Sequence, residues 1–120
     1  MSWIRCNTSF KKELQIDGFS VNAPNQGGAY ASGAITINTE KYKNLFIEKM
    51  VALGSSGSGS ISGDDGSGTW TVIYGWSGTI NNYELDIKNY TKIRFAFSIG
   101  QASPVQPGYG GSLTNIVFSN

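Results

Sequence analysis

Residues 54–68, "GSSGSGSISGDDGSG", read two ways, and the choice between them sets the architecture. Six Gly and six Ser, broken by Ile61, Asp64 and Asp65, have the composition of a flexible tether. A tether here would leave 53 residues before it and 52 after it, each folding alone. That is near the size below which a chain needs disulfides or a metal. The same residues also fit a hairpin. Gly63-Asp64-Asp65-Gly66 lies between "SGSIS" and "GTWTV", and Asp-Gly between strand-like runs is a turn signal. Small side chains suit a strand whose outer face is crowded or approached by another chain. The stretch therefore reads as a surface loop or Gly/Ser-rich hairpin within one domain spanning residues 1–120.

Around it, strand signals dominate. "TKIRFAFSIG" alternates most cleanly, with Ile93, Phe95, Phe97 and Ile99 on one face and Lys92, Arg94, Ala96 and Ser98 on the other. In "NLFIEKMVAL" the odd positions Leu45, Ile47, Val51 and Leu53 form an apolar face interrupted by Lys49. In "TWTVIYGW" the pattern places Trp70, Val72, Tyr74 and Trp76 on one side. Weaker strands are expected at 13–16, 29–38, 79–87 and 113–119, with turn-rich pieces at 17–28 and 100–111. Only residues 38–50 have helical character, since Thr39 is a fit N-cap, but their period and β-branched content favour a turn and then a strand. Tyr42 precedes Leu45 by three residues, and Tyr90 precedes Ile93 by the same spacing. About eight short strands without significant helix predict an all-β, antiparallel β-sandwich of jelly-roll type.

Composition removes several functions. The chain of 120 residues carries nine Lys+Arg against eight Asp+Glu, a formal net charge of +1 that gives no field to steer nucleic acid. There is no histidine, so Ser-His, Cys-His and histidine-metal chemistry are absent. Cys6 is the single cysteine, so no disulfide forms within the chain. Glu84 and Asp86 share a strand face, but alternation turns that face to solvent, away from the apolar pocket a glycosidase acid requires. The chain reads as no enzyme. No apolar run opens it as a signal peptide or approaches the roughly 20 residues of a membrane span. Synthesis in the cytoplasm without membrane insertion is expected, with a virion or extracellular destination for a phage product.

The aromatic and amide residues are the candidates for binding. Trp70 and Trp76 read first as the large core residues a small sandwich needs. Tyr109 between two glycines, with Trp76 and Tyr30 as further candidates, would stack on sugar C–H patches, while amides such as Asn25 and Gln101 bond sugar hydroxyls. Asp64 and Asp65 fit either a turn or a calcium site, since both use carboxylate oxygens.

The runs "KYKNLFIEKM", "GTWTVIYGW", "YELDIKNYTKIRFAFS" and "LTNIVFSN" resemble the second half of a jelly-roll. Asp86, Ile87, Tyr90, Ile93 and Phe95 match a string found in the galactose-binding-like and carbohydrate-binding-module class. Similar modules occur in bacteriophage tail and fibre proteins, whose Gly/Ser/Asn/Thr-rich flavour this chain shares. The resemblance covers residues 39–120 and lacks an Arg or His recognisable in a lectin loop, so it transfers no binding residue. It implies a non-catalytic carbohydrate-binding or adhesion module that recognises surface glycans. The other reading is a structural virion or tail subunit that self-assembles, with other subunits or copies of itself as partners and no small ligand.

Overall fold

The Gly/Ser stretch is the strand β4 (Ser56–Asp64), and the sheet around it shows why. Ser56, Ser58, Ser60 and Ser62 alternate with Gly57, Gly59, Ile61 and Gly63, a strict period of two. The inward glycines leave room for rings. A Cβ on Gly59 would run into the Trp76 indole, and one on Gly63 into the Tyr90 ring. Glycine is needed here for close approach rather than for a turn.

The computed structural model describes residues 13–22, 30–101 and 109–120. The remaining strands are β1 (Glu13–Asn22), β2 (Tyr30–Asn38), β3 (Asn44–Leu53), β5 (Trp70–Trp76), β6 (Gly78–Asp86), β7 (Lys92–Gly100) and β8 (Gly110–Ser119). They form two four-stranded antiparallel sheets, ordered β1-β8-β3-β6 and β2-β7-β4-β5. Among these strands only β4 and β5 are both consecutive and paired, and every other link crosses between the sheets. The chain is an all-β sandwich. Its core is made by Leu45, Ile47, Met50, Ile61, Trp76, Ile87, Ile93, Phe95, Phe97, Ile99, Leu113, Ile116 and Phe118.

Two equivalent turns feed the central strands. The Tyr42 N–H donates to the Thr39 carbonyl at 3.0 Å, and the Tyr90 N–H donates to the Ile87 carbonyl at 3.0 Å. The matched Tyr spacing in the sequence is thus one turn used twice. It also gives the Asp-Ile-x-x-Tyr-x-x-Ile-x-Phe string a physical content. Asp86 Oδ1 accepts the Lys88 N–H at 3.0 Å, while Ile87, Ile93 and Phe95 are fully buried.

Strand β1 runs on through Asn22, so residues 17–22 belong to a strand rather than to the turn-rich piece expected from 17 to 28. The apolar face of β3 is also not the odd-numbered one. Leu45 and Ile47 point inward, and so do Met50 and Ala52, because Glu48 and Lys49 both face out. The same slip occurs in every strand of that sheet. Inward spacing passes from Ile16 to Phe19, from Ile80 to Tyr83 and from Leu113 to Ile116. Residues Asp17, Asn115, Glu48 and Asn82 stand in one line across the sheet where it happens. The slip is shared, so pairing register survives it unbroken.

Candidate functional site

The outer face of the sheet β2-β7-β4-β5 is paved with small side chains. Reading across β2, β7 and β4, its rows are Tyr30–Gly100–Ser56, Ser32–Ser98–Ser58 and Ala34–Ala96–Ser60. Then follow Thr36–Arg94–Ser62 and Asn38–Lys92–Asp64, with β5 adding Val72 and Trp70 to these last two. At about 3.3 Å per residue and about 4.8 Å between strands, the face is roughly 26 Å long and 14 Å wide. Its central rows carry nothing larger than serine, so the sheet itself is open to a flat partner.

An aromatic ring stands at either end. Tyr30 is 63% exposed and its hydroxyl is hydrogen-bonded to Ser98 Oγ at 2.8 Å, which fixes the ring beside Gly100. At the far end the Arg94 guanidinium lies 4.3 Å from the centroid of the Trp70 ring. To reach it from β7, the arginine crosses over β4 at Ser62, which is buried although it faces outward.

Trp70 reaches this face through a β-bulge. Ile61 pairs with Tyr74 and Ser62 with Val72, so Ile73 is an extra residue on β5. The bulge divides the four residues expected on one side. Trp70 and Val72 face out, Val72 being 66% exposed, while Tyr74 and Trp76 turn toward the core.

Trp76 therefore fills the interior as a core residue, which corrects only the alternative that made it a sugar platform. It meets Phe97 edge-on at 5.7 Å and stacks on Tyr74 at 6.4 Å, which in turn stacks on Tyr83 at 4.6 Å. Its indole N–H is buried with no hydrogen-bond partner among the described residues. Burial of Tyr83, with Tyr74 beside it, pushes its phenol above the usual 10.0.

Of the other candidates, Tyr30 is the one that lies open on this face. Tyr109 is half-buried and packs against the core instead of standing free in its loop. Gln101 is buried at 3% exposure and engaged within the fold, so it offers no free amide. Asn25 lies outside the described residues. Arg94 and Trp70 were missed as a pair because they are 24 positions apart and their meeting depends on the bulge.

Asp64 and Asp65 organise the β4–β5 loop. Asp64 Oδ1 accepts the N–H groups of Gly66 at 2.8 Å and Gly68 at 3.0 Å, and Asp65 Oδ1 accepts that of Ser67 at 3.0 Å. Hydrogen bonds from Ser67 hold the Asp65 carboxyl below its usual 3.8. These are Asx-turn bonds, and they occupy one oxygen of each carboxylate that calcium would use. Among the described residues no three Asp, Glu or Cys side chains converge as a metal site. Glu84 and Asp86 are exposed on the outer side of β6.

No protein-family model matches this sequence, and no curated protein matches it. Among solved structures, the enzymatically active domain of tailspike protein 4 from bacteriophage CBA120 is similar over 95% of this chain, at 16% identity and a TM-score of 0.48. This chain spans 20% of that tailspike chain. The C-terminal CBM6 of LamC, a marine laminarinase from Zobellia galactanivorans, is similar over 91% of this chain and all of its own, at 16% identity and a TM-score of 0.43. The CBM32 of AlyQ, in complex with 4,5-unsaturated mannuronic acid, is similar over 84% of this chain and 75% of its own, at 17% identity and a TM-score of 0.33. Likenesses at this level carry no binding residue to this chain.

Proposed function

We propose that this chain is a non-catalytic glycan-binding module and that its ligand lies along the outer face of β2-β7-β4-β5. One observation carries the reading: exposed Tyr30 and the Trp70–Arg94 pair frame an open floor of serine, alanine and glycine. An aromatic face covers the apolar side of a sugar ring, and serine hydroxyls both donate to and accept from sugar hydroxyls. The length of the face suits an oligosaccharide or polysaccharide better than a single sugar. The setting we infer is adhesion outside the producing cell, as in a phage tail or fibre, and the support for it is the Gly/Ser/Asn/Thr-rich composition.

Retardation in native gels containing immobilised polysaccharides tests this directly. Tyr30→Ala should weaken binding by about tenfold, the scale of one lost aromatic contact. Full retardation of that variant, or none of the parent protein on a broad glycan panel, would reject the reading. The alternative, a structural subunit that stacks its copies through this face, draws on Val72, an apolar side chain 66% exposed beside Trp70. It predicts a concentration-dependent molar mass that Val72→Asp abolishes.

A further inference from the structure

We infer that the face selects an acidic glycan, with Arg94 as the group that takes its carboxylate or sulfate; this rests on the glycan-binding reading above. The Arg94 guanidinium carbon lies over the Trp70 ring, 4.3 Å from its centroid. A guanidinium carries five N–H donors in its plane, and a contact made by its cationic centre with a ring does not consume them. The indole also restrains a long side chain that would otherwise lose rotamer freedom on binding, so the fork is held ready.

Two carboxylates lie near this end of the face, but neither is in ion-pair contact with Arg94 among the described residues. Lys92 stands one row away on the same face of β7. Among the described residues, neither Arg94 nor Lys92 is in an ion pair, and the pair that does form, Lys88–Asp86 at 3.6 Å, lies elsewhere. The nearest carboxylate by register is Asp64, opposite Lys92, and its Oδ1 is bonded to the Gly66 and Gly68 N–H groups. Glu40, near the same end, accepts from Asn38 Nδ2 at 3.3 Å. Two cations thus share this end with two carboxylates, none of them joined in an ion pair among the described residues. A neutral sugar hydroxyl takes single hydrogen bonds from a guanidinium, whereas a carboxylate or sulfate matches the fork with two parallel, charge-assisted ones. Trp70 acts as a positioning residue for Arg94.

The experiment is native gel retardation of the whole chain in polygalacturonate, in dextran sulfate and in a neutral galactan, each at low and high salt. Retardation stronger in an acidic gel than in galactan, reduced by salt, is expected. Arg94→Gln should lower it about tenfold or more, the scale of a lost hydrogen bond to a charged group. Arg94→Lys should restore part of it, and Trp70→Phe should keep more than Trp70→Ala. Polygalacturonate against dextran sulfate tells a carboxylate ligand from a sulfate one. Retardation by galactan that equals the acidic gels, or acidic binding unchanged in Arg94→Gln, overturns the acidic preference and leaves glycan binding standing. No retardation in any gel overturns both. If Arg94→Gln does not fold, competition on the parent protein by galacturonic acid and by a sulfated galactose against galactose decides: equal displacement by all three overturns the inference.

Discussion

Asn82 and Asn115 take the same left-handed backbone conformation, φ 53° and 54°, on the two strands that flank Glu48. They are the residues other than glycine with positive φ among those described. Asparagine tolerates this region better than other side chains because its short amide bonds locally. Asn115 uses that amide in both directions, accepting from Gln15 Nε2 at 2.8 Å and donating to Glu48 Oε1 at 3.1 Å. The pair places the inside-to-outside slip of its own strands in the row where β1 and β3 slip as well.

Left-handed geometry costs a β-branched residue about 1–2 kcal/mol. Asn82→Val should lower stability by about that amount, while Asn82→Gly stays near neutral. Asn81→Val, at the adjacent exposed position, is the control. Denaturant midpoints report the difference, and equal values for the two valine variants would show that φ at Asn82 carries no strain.

Gly59→Ala should destabilise by about 1–3 kcal/mol, since its methyl overlaps the Trp76 ring and a packed core yields little. Ser58→Ala, one residue away on the open face, should change stability by less than about 0.5 kcal/mol. In a Trp76→Leu background the cost of Gly59→Ala should shrink, because the ring it strikes is gone. Strict additivity in that double-mutant cycle would contradict the contact.

Asp64→Ala releases two loop N–H groups and should cost about 1–2 kcal/mol, as loss of a capping carboxylate does. Asp64→Asn keeps an accepting oxygen and should recover most of it. Since these bonds are internal to the loop, the melting temperature should be the same with calcium and with chelator. A rise with calcium would mean that the second carboxylate oxygens recruit an ion.

The two shifted groups act at opposite ends of the pH range. Asp65 has a lower pKa folded than unfolded, so it stabilises the fold above its ordinary 3.8 and loses that contribution as pH falls through the lower folded value. Ser67→Ala should flatten this acid limb. Tyr83 is raised, so it stabilises the fold below its ordinary 10.0 and loses that contribution as pH climbs through the raised value. Burial is the larger cause and Tyr74 the smaller, so Tyr74→Phe should leave most of the late phenolate absorbance step in place. A step returned to the ordinary value would reverse that order.

The features readable from the chain alone are local. Period-two alternation is a property of an extended backbone, so the inward Ile93, Phe95, Phe97 and Ile99 of β7 were legible residue by residue, as was a sandwich of eight strands. The turn-forming Asp64-Asp65-Gly66 was legible too, because its hydrogen bonds span only two to four residues. Of the sequence candidates, only Tyr30 lies exposed on the face proposed to bind. Tertiary structure decided that Trp70 faces out over Arg94 while Trp76 faces in, and that Met50 rather than Val51 enters the core. A bulge or a left-handed asparagine reverses the parity of everything beyond it. Where that reversal falls is fixed by pairing between strands distant in the chain, which no local period encodes.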